Sequence, residues 1–481
     1  MDRPIYRQLA DSIERLIRAG LLAQGEKLPA TRELAGQLRL NRTTVAAAYA
    51  ALEAAGLVKG HVGRGSFVAV SGGKLEGNGF DWSSALFPQE SGIPSSQQEI
   101  VINFASSRPA QDEFPLAEFR RLAKEVIEGE QAAEVLQLGS PYGYAPLRRH
   151  LLSEASAEGT VRAGDDLIVT SGCQQGLDLL SRIFPLRERG VALEDPVYHG
   201  LLRVFSQEGS QLLPIGVGPS GIDLDALGHT LERRRPLLVM VTPSFQNPTG
   251  TTMPLENRKR LIELARRHGT LLVENDIYSQ LRYKGRAVPS LKELDDTGHT
   301  ILLRSFSKVS FPGLRVGWVI GPRPLIARLA EAKQVSDLHS DQLAQAILLR
   351  FVQSGELARH VERTRRRGAE RLLAVERACE EFLPEGASWT RPEGGMSLWV
   401  DLPTPLSAEK VLARVQERGV DFLPGRHFSE RSRHERGLRI SFGGLSPEQI
   451  RHGIQIIGEA VRQMLAVSSK LGNFESAAAL V

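Results

Sequence analysis

The feature that most constrains this chain is a repeated pattern in which a short apolar run breaks off into a polar loop. Leu167-Ile168-Val169 leads into Thr170-Ser171-Gly172-Cys173-Gln174-Gln175, and Leu237-Leu238-Val239-Met240-Val241 leads into Asn247-Pro248-Thr249-Gly250. Leu271-Leu272-Val273 leads into Glu274-Asn275-Asp276-Ile277-Tyr278, and Ile301-Leu302-Leu303 into Ser305-Phe306-Ser307-Lys308. Helical patterns intervene, for example Leu255 to His268, with Pro254 before it and Gly269 after it. Alternating strand and helix runs predict an α/β fold, a mostly parallel sheet with helices on both faces. Ligands bind such sheets at the carboxyl ends of the strands, where these polar loops fall.

Length sets a soft expectation of two or three domains for 481 residues. With 41% hydrophobic and 24% charged residues, a wholly disordered or fibrous chain is excluded. No apolar stretch approaches the roughly 18 residues of a membrane helix, and Met1-Asp2-Arg3-Pro4 lacks the apolar core of a secretory signal. Two cysteines, Cys173 and Cys379, make no disulfide framework, so a cytoplasmic location is expected. Residues 71–100 hold thirteen Gly, Ser or Pro and keep no period, and read as a flexible linker. Phe80, Trp82, Leu86 and Phe87 within it offer a means of docking part of it on a domain. The linker separates a unit at 1–70 from a large domain at 101–470.

Charge is unevenly shared. Residues 1–70 carry ten Lys/Arg against six Asp/Glu, whereas the other 411 residues carry fifty of each. A basic small unit on a neutral body suggests a nucleic-acid partner for the small unit alone, although a solvated surface explains the same excess. Leu9, Ile13, Leu16 and Ile17 have helical spacing closed by Gly20; a second helix starts near Thr31 and a third after Asn41. Only a tight turn at Arg39-Leu40 separates the last two, which is helix-turn-helix spacing. Two strands, Leu57–Lys59 and Ser66–Val70, then flank Gly63-Arg64-Gly65 as a wing. Arg42, Thr43 and Thr44 open the third helix, where side chains reach base edges and phosphates; Arg32 and Arg64 are placed for the DNA backbone or minor groove. Leu28-Pro29-Ala30-Thr31-Arg32-Glu33-Leu34-Ala35, Asn41-Arg42-Thr43-Thr44-Val45 and Gly63-Arg64-Gly65-Ser66-Phe67-Val68 resemble the GntR-type winged helix-turn-helix in order and spacing.

The polar loops of the large domain carry a different chemistry. A strand-end lysine, Lys308, beside Ser305 and Ser307 can form a Schiff base with an aldehyde. An aspartate, Asp276, can keep a pyridinium nitrogen protonated, and the Asn247 amide and Tyr278 hydroxyl can bond a phenolate oxygen. Ser171-Gly172-Cys173-Gln174 enters a helix whose free N–H groups can cradle a phosphate, with Arg315 adding a cation. This inventory fits pyridoxal 5′-phosphate.

The order of Asn247-Pro248-Thr249-Gly250, Asp276-Ile277-Tyr278, Ser305-Phe306-Ser307-Lys308 and Pro312-Gly313-Leu314-Arg315-Val316-Gly317-Trp318 resembles class I, fold-type I aminotransferases across residues 101–465. That resemblance implies a large α/β/α domain with a smaller C-terminal α+β subdomain. It makes Lys308 the Schiff-base lysine, pairs Asp276 with the ring nitrogen and puts Asn247 and Tyr278 on the ring oxygen. Tyr198 then stacks on the ring, while Cys173 and Gln174 (through backbone), Ser305 and Arg315 hold the phosphate. Arg439, in Gly437-Leu438-Arg439-Ile440-Ser441-Phe442, would grip a substrate carboxylate, against the alternative of an ordinary salt bridge. Leu138 stands where such proteins commonly carry a tyrosine reaching the partner subunit's phosphate, and Tyr142 is offset from it.

Both modules in one chain resemble the MocR subfamily of GntR regulators. The resemblance implies a cytoplasmic, PLP-dependent transcription factor that binds a double-stranded DNA operator as a homodimer with a head-to-tail arrangement, without metal or membrane. An amino-group effector, or PLP itself, would be sensed by aldimine exchange on Lys308. A catalytically competent aminotransferase carrying a DNA-binding appendage is the alternative, because the residues for transamination are present.

Overall fold

A computed structural model of the protein describes residues 4–18, 22, 25–38, 40–61, 65–69 and 100–478, with side chains at its C-terminal end described through residue 467. The expected linker at 71–100, apart from its last residue, Ile100, lies outside the described residues, as do the turn residue Arg39, Gly20 and the wing-tip Arg64. The chain divides between residues 94 and 95 into two compact units. Among the described residues no helix is long and apolar enough to cross a membrane.

In the small unit, helices α1 (Ile5–Arg18), α2 (Thr31–Leu38) and α3 (Arg42–Ala54) precede the antiparallel strands β1 (Val58–His61) and β2 (Gly65–Val68). Apolar residues at helical spacing make the core: Ala10 and Ile13 of α1, Ala35 of α2, and Val45, Ala48, Tyr49 and Leu52 of α3 are buried, with Val58 and Val68 closing it from the strands. Asn41 caps α3 as its position requires, accepting from Thr43 N at 3.1 Å and from the Thr43 hydroxyl at 3.0 Å. Tyr49 is pinned beneath α2 by donating its hydroxyl to Pro29 O at 2.8 Å. The segment before α2 adds to the strand pair, with Leu28 N donating to Ser66 O and Val68 N to Glu26 O.

The large unit begins with β3 (Ile102–Asn103) and then builds a sheet from β4 (Asp165–Thr170), β5 (Val191–Asp195), β6 (Leu212–Gly218), β7 (Gly221–Ile222), β8 (Leu238–Val241), β9 (Leu271–Asn275), β10 (Thr300–Ser305) and β11 (Gly317–Pro322). The eight strands lie in the order β4-β11-β10-β9-β8-β5-β6-β7. Neighbours from β10 to β6 are parallel, while β11 and the edge strand β7 run against theirs. Alternate residues feed opposite layers. Ile168, Leu193, Met240, Val273 and Val319 pack with Leu177, Leu201, Phe205 and Ile326. Ala192, Val239, Val241 and Leu272 face Leu227, Leu231, Leu261 and Ala265, and Leu167, Val169, Leu302 and Ile320 face Leu147, Leu151 and Leu348. This is the expected sheet between two helical layers.

The smaller subdomain holds β12 (Ser388–Trp389), β13 (Ser397–Asp401), β15 (Leu423–Pro424) and β16 (Gly437–Ser441) in an antiparallel sheet ordered β12-β13-β16-β15, with β14 (Val420–Asp421) beside it in sequence. Its helices include Glu356–Phe382 and Pro447–Ala478. It is not purely C-terminal: β3 pairs in parallel with β14, and Ile102 and Phe104 are buried in its core. The first segment of the large unit thereby lies in the smaller subdomain and continues into the site.

Candidate functional site

A cavity of about 410 Å³ opens at the carboxyl ends of β4, β5, β9 and β10 and is completed by β16 and residues 105–108. Tyr198, Asn247, Tyr278, Lys308, Cys173, Gln174, Ser305, Arg315 and Arg439 all line it, although they span more than half the chain. Asp276 is the cofactor candidate from the sequence that does not line it.

One side of the cavity is an anion cradle. Gly172 precedes the helix Cys173–Ile183 with a φ of 79°, and no side chain caps that helix, so the N–H groups of its first turn remain available. Arg315 leans over the same turn, donating to Ser171 O at 3.4 Å. The close approach depends on glycine: a Cβ on Gly172 would stand 2.6 Å from the Arg315 guanidinium, and one on Gly317 would stand 2.8 Å from Gly172 C and 2.9 Å from Cys173 N. Ser305 and Ser307 share a hydroxyl contact of 2.7 Å beneath it. Burial pushes the Cys173 thiol up to about 12, and its Sγ lies 3.3 Å from Arg304 O. Cys173 therefore offers its backbone and no thiolate.

The other side concentrates positive charge. Lys308 closes a short 3-10 turn after β10; its Nζ donates to Ser107 O at 2.7 Å and lies 5.7 Å from the centre of the Tyr278 ring. Asn247 donates to the Tyr278 hydroxyl at 3.4 Å and accepts from Arg439 Nη1 at 3.1 Å. Arg439 is only 2% exposed, forms no ion pair among the described residues, and leaves its Nε without a partner. Its other bonds go to Ala105 O at 2.5 Å and to the face of Phe428 at 5.1 Å. Burial lowers its pKa to about 10, the response of a cation that lacks an anion. The ordinary salt bridge weighed from the sequence is not there.

Tyr198 follows β5, and burial raises its hydroxyl above the ordinary range. Its neighbour His199 also lines the cavity, 4.8 Å from the Tyr198 ring centre. Burial and the nearby Arg439 depress this imidazole to about 4, and its Nδ1 is buried without a partner among the described residues. At the end of β9, Asn275 lines the cavity while Asp276 accepts from Arg304 Nε at 3.0 Å. Sequence reasoning missed His199, Asn275, Ser107 and Arg108 as cavity residues; adjacency to Tyr198 and Asp276 was the available signal for the first two.

In the small unit, Arg32, Arg42 and Thr43 are exposed and Thr44 is half-buried. Among the described residues neither arginine has an acidic partner, whereas the Thr43 hydroxyl is engaged by Asn41. Leu138 is 73% exposed, and Tyr142 is covered by the Arg148 guanidinium at 5.2 Å. Among the described residues no group of three or more His, Cys, Asp or Glu could hold a metal.

Comparison with known proteins follows the same division. Residues 5–68 match the family of bacterial regulatory proteins, gntR family, and residues 99–457 match aminotransferase class I and II. The chain is 30% identical over 481 residues to the probable rhizopine catabolism regulatory protein MocR of Rhizobium meliloti, covering 95% of this chain and 94% of that protein. It is 36% identical over 375 residues to the 2-aminoadipate transaminase of Thermus thermophilus, covering 77% of this chain and 93% of the relative. The crystal structure of Pyrococcus horikoshii kynurenine aminotransferase superimposes with a TM-score of 0.74 at 34% identity, covering 77% of this chain and 92% of that one. A winged helix, an aminotransferase-type sheet and a full-length regulator relative agree: the chain belongs to the MocR subfamily of GntR regulators, in which a DNA-binding domain is fused to an aminotransferase-like domain.

Proposed function

We propose that this regulator senses an amino-group effector carrying an anionic group, in the cavity at the carboxyl ends of the sheet, and reports its presence through the DNA-binding unit. The observation that carries the reading is the buried Arg439 guanidinium, unpaired by any acid among the described residues and lining the same cavity as Lys308. An effector carboxylate would satisfy the free Arg439 Nε and replace a backbone carbonyl as the partner of that charge.

The cofactor is pyridoxal 5′-phosphate. The donor set fits it: N–H groups of Cys173 and Gln174, Ser305 and Arg315 for the phosphate, Asn247 and Tyr278 for the ring oxygen, Tyr198 for a ring face, and Lys308 for the aldehyde. When bound, the cofactor supplies an aldehyde carbon that condenses reversibly with amines. Lys308 Nζ, which here donates to Ser107 O at 2.7 Å, would be the amine held against that carbon, and an effector's amine would compete with it for the same position. Asn247 orients Tyr278 and Arg439 together, so that occupancy at the ring oxygen and at the effector's anion is coupled through one amide.

The DNA partner is a double-stranded operator, with Arg42, Thr43 and Thr44 at the start of α3 reading the major groove, Arg32 on the backbone and Arg64 in the minor groove or on a phosphate. A head-to-tail homodimer, in the cytoplasm, suits this arrangement. Leu136, Leu138, Val335 and Leu338 leave large apolar side chains exposed, Val335 by 90%, as a second subunit would require. PLP itself as the effector requires the same residues.

The competing reading, an aminotransferase with a DNA-binding appendage, is favoured by the transaminase relative and by the complete lysine–arginine pair. Visible absorption of the PLP-loaded protein, titrated with amines and amino acids with and without a 2-oxo acid, separates the two. A stoichiometric spectral shift without product identifies the effector and supports a sensor. Continuous conversion of the 2-oxo acid well above Lys308→Ala establishes an enzyme. No visible band, with Lys308→Ala indistinguishable from wild type, removes the cofactor assignment.

A further inference from the structure

We propose that Asn275, and not Asp276, meets the ring nitrogen of the cofactor, so that the site keeps this nitrogen unprotonated and suits amine exchange better than turnover. The inference rests on the cofactor reading above and concerns what the chain places at one atom of it.

Successive side chains of a strand point to opposite faces, and the end of β9 obeys this. Glu274 turns away from the cavity, accepting the backbone N–H groups of Leu291 and Lys292 at 2.9 Å each. Asn275 turns into the cavity and is 6% exposed. Its Nδ2 donates to Thr242 Oγ1 at 3.4 Å, and its Oδ1 is buried with no hydrogen-bond partner among the described residues. Asp276 is absent from the lining, and its carboxylate is engaged by Arg304, whose Nη1 also donates to Glu158 at 2.5 Å. The charge of Asp276 is therefore matched by a guanidinium outside the cavity, and the polar group that the strand end presents to the cavity is a neutral amide with one unused atom.

A carboxylate facing a pyridine nitrogen holds a proton there; an amide cannot. Rotating the Asn275 amide lets Oδ1 accept from the Thr242 hydroxyl while Nδ2 donates to the nitrogen lone pair, so every polar atom is satisfied with the ring neutral. An unprotonated ring is a weak electron sink, and cleavage of a Cα–H bond on a bound amine loses its main stabilisation. Amine exchange needs no such sink. The effector enters as an ammonium, its nitrogen forms the C=N bond, and Lys308 Nζ leaves as an ammonium, so protons balance and nothing is oxidised or reduced. One amide thus separates binding an amine from transforming it.

The test loads the full chain with cofactor labelled with ¹⁵N at the ring nitrogen and reads its resonance by solid-state NMR. Wild type should show a neutral pyridine signal, Asn275→Asp a pyridinium signal, and Asp276→Asn the wild-type signal. Because Asp276→Asn strips Arg304 of a partner, the double variant Asp276→Asn with Arg304→Gln gives the same comparison. As a second readout, Asn275→Asp should convert bound cofactor to its amine form at least tenfold faster than wild type in a single turnover with an amino acid. A pyridinium signal in wild type, a signal that follows position 276 and ignores 275, or equal single-turnover rates would each overturn the proposal. Absence of any bound-cofactor band, wild type included, would remove the cofactor reading and this inference with it.

Discussion

His199 shows how one side chain couples the cavity to solution conditions. Its imidazole is depressed to about 4, from an ordinary value near 6.5, because it is buried beside Arg439. Between these values the unfolded chain binds a proton that the folded protein refuses. Stability from this group is complete above about pH 6.5 and is lost as pH falls towards 4. His199→Gln should flatten that part of the stability–pH curve by about 2 kcal/mol, measured by urea unfolding at pH 4.5 and 7. An unchanged slope would mean that the imidazole titrates freely. Residue types at this site were legible in the sequence: Lys308, Asn247, Tyr278, Tyr198 and Arg439 lie together as expected. The choice between Asn275 and Asp276 was not. Leu272 and Val273 are buried on opposite faces of β9, so the strand carries no apolar–polar alternation from which its phase could be read.

At the scale of elements, the cradle depends on how closely β11 approaches the helix Cys173–Ile183. Gly317 pairs with Thr170 across the sheet, just where that helix begins. Gly317→Ala places a methyl against the backbone of Gly172 and Cys173, which must move away. The expected cost is about 1–3 kcal/mol, seen as a lower melting temperature, together with cofactor affinity reduced at least tenfold in a spectral titration. Retention of wild-type affinity would show that the helix N-terminus is not what holds the phosphate. The strands, the helices between them and the three-helix pattern of the small unit followed from period and punctuation, which are local signals. The parallel pairing of β3 with β14 did not, since it joins residues more than three hundred positions apart through two-residue strands.

For the whole molecule, Arg42 of the small unit and the arginines of the cavity are proposed to meet different partners and should separate experimentally. Arg42→Ala should weaken operator binding about tenfold and lower the salt slope by about 1 if it contacts a phosphate, or relax specificity at one base if it reads an edge. Binding measured at several salt concentrations distinguishes these, and the visible spectrum of the loaded protein should not change. If Arg42→Ala binds DNA as wild type does, α3 does not read the operator. The charge imbalance of residues 1–70 fits a nucleic-acid partner and a solvated surface equally; the helix-turn-helix spacing after Thr31 and Asn41 is what favours the former.

The segment that opens the large unit has a mechanical meaning. Within four residues of β3, Ala105 O holds Arg439 and Ser107 O holds Lys308. A ligand that claims the Lys308 amine, or the Arg439 Nη2, displaces a carbonyl of this segment. The cavity thus holds its own backbone as a stand-in for a ligand: when an anion or an aldehyde takes one of these charges from its carbonyl, residues 105–107 lose that anchor, and occupancy is registered in the main chain itself.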